Sequence, residues 1–142
     1  MNIENRNWRM KVVIKIHSYS ATTEGIKITA RPVFLEGKSD ILERKFVFAY
    51  FITIENHGIE PVQLLRRHWL INHSGGRLEE VEGEGVVGKQ PYISPGEAHE
   101  YNSFCVLDSF EGSMEGTYLF KRSSGEYFRA TIPRFRLAAA TN

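Results

Sequence analysis

The sequence lacks the residues from which several common functional sites are built. It has one cysteine, Cys105, which excludes an intrachain disulfide and a cysteine-rich zinc site. Cys105 lies in the apolar stretch Phe104–Leu107, which favours a buried structural thiol over a reactive one. Among 17 acidic residues only Asp40 and Asp108 are aspartates, which argues against clustered carboxylates that bind several metal ions. We therefore expect no cofactor and no tight metal site.

A strong net charge and a long apolar run are also missing. Lys and Arg total 18 against 17 acidic residues, and a formal net charge of +1 gives little attraction for nucleic acid or an anionic membrane. Basic residues alternate with aromatic ones in the C-terminal third, but alternation is typical of half-buried strands, so nucleic-acid binding is not expected. The longest apolar run, Phe46–Ile52, is too short to cross a bilayer, and the N-terminal residues lack a signal-peptide pattern. The sequence predicts a cytoplasmic protein without membrane insertion.

The sequence also lacks a sustained apolar period of 3.6 residues, the pattern of an amphipathic helix. Short β-branched and aromatic stretches instead alternate with turns rich in Gly, Pro, Asn and Ser, which predicts an all-β, single-domain antiparallel β-sandwich. Phe46–Ile54 is apolar on both faces and is predicted to be a central strand. Pro32 is expected to limit pairing or to mark a sheet edge. The expected strands are residues 12–16, 25–31, 46–54, 62–71, 77–82, 99–107, 118–121 and 126–132.

Two further expectations concern the core and the chain between two late strands. Residues 108–116 are predicted to be rich in turns. The apolar positions that face inward in the predicted strands should be largely buried. These positions are Phe48, Tyr50, Ile52, Leu70, Val81, Cys105 and Phe120.

Three glycines at G-x-G-x-x-G spacing lie in Gly83–Pro91 (G-E-G-V-V-G-K-Q-P), which we call the glycine loop. In dinucleotide-binding proteins this spacing lies between a strand and a helix whose N-terminus binds the pyrophosphate. Here two valines and then Pro91 follow, so a helix is not expected. The nearby glutamates would also repel a phosphate. Nucleotide binding is therefore not expected, and the glycines are interpreted as a wide, bulged turn.

Glu80, Glu82 and Glu84 lie on one face of an extended strand, about 6.5–7 Å apart. This glutamate ladder suits weak binding of a hydrated Mg²⁺ or Co²⁺ ion. The favoured alternative is a solvated face neutralised across the hairpin by Arg66, Arg67 and Arg77, in pairs that contribute about 0.2–1 kcal/mol each. A two-residue turn within residues 74–76 would place Arg67 opposite Glu82 or Glu84, depending on which two residues form it.

Patterns of catalytic residues are not recognisable. The histidines are not spaced as metal ligands on one strand or helix, and G-x-S-x-G is missing. His68 and His73 could meet on one hairpin, but a surface role is favoured. The five histidines are His17, His57, His68, His73 and His99. We therefore do not expect an enzyme.

Several motifs occur together in the order and spacing of the ApaG domain. They are Arg67-His68-Trp69, the glycine loop, Ser94–Glu97, Gly112–Tyr118 and Ile132–Phe135. On these motifs the chain resembles the ApaG family over residues 10–137, with an N-terminal extension at 1–9 and a flexible tail at 138–142. The resemblance implies a fibronectin type III-like β-sandwich. It also implies a link to cobalt resistance and magnesium efflux in bacteria, a protein-interaction role in eukaryotes, and no agreed enzymatic activity.

Because ions cross bilayers through membrane-spanning proteins, this chain would affect ion export through a partner or a ligand. We expect a non-enzymatic protein-interaction or regulatory domain. A small-molecule or divalent-metal sensor using the glycine loop and the glutamates stays open, as does, less favoured, an enzyme acting on phosphate compounds. The partner and a homodimer are also left open, and Trp69 fits a core role equally well. The candidate binding residues are Arg67, Trp69, Gly83, Glu84, Gly85, Gly88, Gln90 and Pro91.

Overall fold

The computed structural model describes residues 17–139, and the predicted all-β class is confirmed. The strands are β1 (Tyr19–Thr23), β2 (Ile26–Phe34), β3 (Phe46–Asn56), β4 (Val62–His73), β5 (Leu78–Glu84), β6 (Tyr92–Ile93), β7 (Ala98–Leu107), β8 (Glu111–Arg122) and β9 (Tyr127–Ala138). One turn of 3₁₀ helix, Glu36–Lys38, lies between β2 and β3. The predicted strand at 12–16 and the extension at 1–9 lie outside the described residues. Within residues 17–139, no helix is long and apolar enough to span a membrane.

The strands form two antiparallel sheets that pack face to face. One has the order β1-β2-β3-β7, and the other has the order β5-β4-β8-β9, with β6 also pairing with β4. Strand β3 lies between β2 and β7, as its two apolar faces predict. Strand β9 packs against β1 and β2, so β5 and β7 lie on the opposite side of the sandwich. The inner faces of both sheets share one hydrophobic core.

The core contains most of the positions predicted to fill it. Phe48, Tyr50, Ile52, Cys105 and Phe120 are buried. Val81 and Leu70, in contrast, are only half-buried. Val81 lies on the edge strand β5, where it packs against the margin of the core. Leu70 alternates with the buried Trp69 and Ile71 and therefore faces outward.

The prediction of turns over residues 108–116 is wrong from Glu111 onward, because β8 begins there. The glycines of this segment suggest turns in the sequence, but in the structure they allow β8 to pack closely against β4. A Cβ added to Gly116 would lie 2.0 Å from the carbonyl oxygen of His68, and one added to Gly112 would lie 2.3 Å from that of Asn72. These strand positions therefore admit only glycine.

Proline is tolerated in β2 and β9 for identifiable reasons. The pairing of β1 with β2 ends at Ala30, so β2 is paired on one side only at Pro32, as expected for a sheet edge. Pro133 lies where the β8–β9 register shifts between Met114 and Gly116, which marks a bulge. Strand β9 then continues to Ala138, one residue beyond the predicted end of the domain.

Replacing Gly116 with alanine is expected to lower the free energy of unfolding by about 3 kcal/mol, because the new methyl group would overlap the β4 backbone. Urea denaturation measures this change. Gly37→Ala is the matched control, since open space surrounds that position, and it should change stability by less than about 0.5 kcal/mol. Equal stability of the two variants would contradict the packing described for β4 and β8.

Candidate functional site

A β-bulge in strand β4 determines which residues lie near the glycine loop. The register of β4 with β8 shifts between Leu64 and Arg66, so Leu65 is the extra residue. Leu64 faces the core before the bulge, and Trp69 faces it afterwards. The alternation of inward and outward positions therefore changes phase, and Arg67 lies on the core side of the sheet.

The glycine loop connects two strands that pair with the same side of β4. Strand β5 pairs with β4 on one side of the bulge and β6 pairs with it on the other, so the loop crosses the bulge. The carbonyl of Leu65 accepts hydrogen bonds from the backbone N–H of Gly85 (2.8 Å) and from Nε2 of Gln90 (3.0 Å). The N–H of Leu64 donates to the carbonyl of Pro91 (3.0 Å). These bonds hold the loop onto β4.

The tip of the glycine loop is a tight two-residue turn. Val86 and Lys89 exchange backbone hydrogen bonds of 2.8 and 3.1 Å, and Val87 and Gly88 between them have φ of +48° and +75°. Positive φ at both central residues is the pattern of a type I′ turn. Val86 is buried in the core, but Val87 is 64% exposed. A β-branched residue rarely adopts positive φ, so Val87 is strained at an exposed position.

Several backbone N–H groups of the loop are hydrogen-bonded within the chain. The N–H groups of Gly85, Val86 and Lys89 are bonded to backbone carbonyls, and a strand, not a helix, follows the loop. Arg67 Nη1 donates to the carbonyls of Glu84 (2.9 Å) and Gly85 (3.1 Å). The loop therefore differs from a dinucleotide fingerprint, in which free N–H groups and a helix N-terminus bind phosphate.

The side chain of Arg67 packs against Gly83 at the base of the loop. A Cβ on Gly83 would lie 2.8–2.9 Å from its guanidinium atoms, so glycine leaves the space that the arginine occupies. Burial raises the pKa of Tyr50, Tyr101 and Tyr118, and the positive charge of Arg67 opposes that rise in all three. The hydroxyls of Tyr101 and Tyr118 are hydrogen-bonded to each other. Arg67 is thus a positioning residue for the loop, near the buried Tyr50 and Tyr118 and the half-buried Tyr101.

Trp69 belongs to the core and not to the exposed surface. It is 2% exposed, and its ring packs against Tyr50, Tyr118 and Phe135 at centroid distances of 5.3, 6.2 and 5.9 Å. Such aromatic contacts stabilise the core beyond the area that they bury. Of the candidate residues, Trp69 is therefore not available to a partner.

The glutamate ladder lies on the outer face of β5, but both predicted pairings of Arg67 are wrong. Arg67 lies opposite Gly83, and Arg66 lies opposite Glu84. The N–H of His73 donates to the carbonyl of Arg77, which leaves a loop of three residues, Ser74, Gly75 and Gly76, and not two. The longer loop shifts the β4–β5 register by one residue, so Arg67 and the glutamates of the ladder lie on opposite faces of the sheet.

A cluster of ionisable side chains around the buried His73, at the end of β4, is not apparent from the sequence. The side chain of His73 is fully buried, with Nε2 3.1 Å from Glu79 and Nδ1 3.2 Å from Asp108. Arg77 Nε donates to Asp108 at 3.0 Å. Burial alone would raise the pKa of Asp108, but Arg77 and His73 together lower it. The surface role expected for His73 is wrong, because it faces inward whereas His68 contacts Glu80 on the outer face.

This geometry defines a small β-sandwich domain with one elaborated edge loop, and the comparisons with known proteins identify the family. The model of the ApaG domain matches residues 36–122. Proteins named ApaG from Rhodospirillum centenum and Anaeromyxobacter dehalogenans are each 48% identical to this chain, over 84% and 83% of it and over 92% and 93% of their own length. A crystal structure of a Bordetella pertussis protein named ApaA superposes with a TM-score of 0.80 at 38% identity and covers 82% of this chain and 95% of that one.

The chain therefore belongs to the ApaG family, and its fold is fibronectin type III-like, as the resemblance implied.

Replacing Arg67 with alanine is expected to destabilise the protein by about 1.5–3 kcal/mol, because two carbonyls of the loop lose a charged donor. Urea denaturation measures the loss, and amide hydrogen exchange at Gly85 and Val86 should become faster. Arg66→Ala is the control: the side chain of Arg66 is exposed and makes no hydrogen bond or ion pair to residues 17–139, so its loss should change stability by less than about 0.5 kcal/mol. Equal losses would argue against the positioning role.

Titration calorimetry with Co²⁺ and Mg²⁺ is expected to show no binding tighter than about 100 μM. Glu80 is engaged by His68 and Glu79 by His73, and within residues 17–139 no group of three His, Cys, Asp or Glu side chains is arranged so that it could hold a metal ion. A stoichiometric micromolar heat that disappears in a Glu82→Gln, Glu84→Gln double variant would overturn this prediction.

Proposed function

We propose that this protein is a non-enzymatic interaction or regulatory domain whose protein partner contacts the tip of the glycine loop. The observation that carries the proposal is Val87, an apolar residue that is strained and largely exposed on a loop otherwise fixed by internal bonds. Strained residues persist where the surroundings over-determine them, and they cluster at binding sites. A contact between Val87 and a protein partner would account for a strained, exposed valine at this position.

The surface next to Val87 has the composition of a protein-binding site. Tyr92, the first residue after the loop, is 74% exposed, and Lys89, Gln90 and Glu84 are exposed nearby in the chain. Apolar and aromatic side chains surrounded by polar ones match the centre and rim of a typical interface. Because Arg67 and Gln90 fix the loop from within, a partner would meet a pre-organised shape and lose less entropy on binding.

The chemistry of the core supports a non-enzymatic role. The most conspicuous nucleophile, Cys105, is buried, and burial raises the pKa of its thiol to about 12, so it stays protonated. The buried tyrosines likewise stay neutral, since burial raises each pKa. Under this proposal the family's link to cobalt resistance and magnesium efflux acts through the partner, which the chain regulates in the cytoplasm.

The test uses Val87→Asn. Asparagine tolerates positive φ better than valine does, so the turn should persist and the melting temperature should not fall, while the apolar contact is lost. Affinity purification from the native cell, with quantitative mass spectrometry, should show the main partner reduced by about tenfold or more. The same variant should fail to complement a cobalt-sensitive strain from which the gene has been deleted.

Leu42→Asn is the matched control, because Leu42 is also an exposed apolar residue but lies in the loop between β2 and β3. It should retain the partner and complement fully. If Val87→Asn also retains both properties, or if Leu42→Asn loses them equally, the glycine loop is structural and the proposal is wrong.

A further inference from the structure

A cavity of about 630 Å³ lies at the other end of β4 from the glycine loop, beside the hairpin at residues 74–76. Its lining comes from both sheets and includes Tyr19 of β1, Asn72 of β4, Ser113 of β8, and Arg134 and Arg136 of β9. This volume lies within the range of small-molecule sites. The cavity shares no residue with the glycine loop, so what it binds is a separate question from the protein partner.

Ser113 has an unused hydrogen-bonding group in this region. The residue is 7% exposed, and its Oγ has no hydrogen-bond partner in the part of the chain that the structure describes. Its cross-strand neighbours are Asn72 and Arg136, both of which line the same cavity. Buried hydroxyls are nearly always paired, so a missing partner calls for an explanation. An acceptor oxygen brought by a ligand would provide that partner.

The charged groups of the lining favour an anionic ligand. Apart from His73, the charged lining residues are Arg134, Arg136 and Glu111, so positive side chains outnumber negative ones. Arg136 is bonded to Glu111, and Arg134 Nε lies 3.7 Å from Glu115. A guanidinium has five N–H donors, so one carboxylate leaves donors for another anion. Two arginines on one strand can therefore share a phosphate or carboxylate group.

We propose that this cavity binds a small polar molecule through an oxyanion group, which Arg134 and Arg136 hold by charge and to which the Ser113 hydroxyl donates a hydrogen bond. Phosphate and carboxylate share this chemistry. Glu111 competes with the ligand for Arg136, which keeps the affinity moderate.

The experiment is an NMR titration of the ¹⁵N-labelled protein with inorganic pyrophosphate and, separately, with citrate, at constant ionic strength maintained with sodium chloride. We expect saturable chemical-shift changes of the backbone amides of Gly112, Ser113 and Arg136 with at least one probe. The probe that binds more tightly shows whether the site prefers phosphate or carboxylate groups. Arg136→Gln should weaken binding about tenfold. Glu111→Gln should tighten it, because it frees Arg136. The matched control is Arg129→Gln, an exposed arginine of β9 outside the cavity, which should leave affinity unchanged.

Ser113→Ala separates ligand binding from a structural role. Removing an unpaired buried hydroxyl should leave the melting temperature of the free protein unchanged or raise it, while probe affinity falls. The proposal is overturned if neither probe saturates, if Arg129→Gln weakens binding as much as Arg136→Gln does, or if Ser113→Ala lowers the melting temperature and leaves affinity unchanged. In the affinity purification described above, Arg136→Gln should still retain the partner of the glycine loop, which would show that the variant affects the cavity alone.

Discussion

The carbonyl of Leu65 is the group on which the arrangement of the glycine loop depends. As the extra residue of a bulge it leaves the regular ladder, so its carbonyl can accept from Gly85 and Gln90. The same extra residue changes the phase of alternation in β4 and brings Arg67 to the core side, where it binds two further loop carbonyls. One inserted residue therefore supplies both an anchor at the base of the loop and a support beneath it.

These anchors explain how the loop tolerates an unfavourable residue at its tip. Val86 is buried in the core, Gly85 has the left-handed conformation that lets Lys89 approach, and Arg67 binds from below, so the backbone of Val87 has little freedom to relax. A residue held in this way costs stability that the rest of the loop offsets. The fold gains little apolar burial from Val87 in return, which is why we assign its value to a contact outside the chain.

The sequence predicts the fold better than it predicts the site, for a physical reason. Alternation and turn residues are local, so they identify the strands, and the two apolar faces of residues 46–54 correctly place β3 at the centre. Register depends on loop length and bulges, and here the hairpin at residues 74–76 and the bulge at Leu65 each shift it by one residue. The doublets Leu64-Leu65 and Arg66-Arg67 were the available signal, since each breaks strict alternation. Tertiary packing alone reveals that Trp69 is in the core and that His73 is buried.

The two ends of β4 present different chemistry, and this bears on how they could work together. The tip of the glycine loop exposes the apolar Val87, which suits a protein surface, whereas the cavity contains arginines and an unpaired hydroxyl, which suit an oxyanion. Between them, β4 and β8 form a continuous antiparallel ladder from Arg66 to His73. Coupling requires an element with two alternative arrangements, and a packed ladder in a single register does not supply one. Binding energies at the two ends should therefore add, with each site acting on its own.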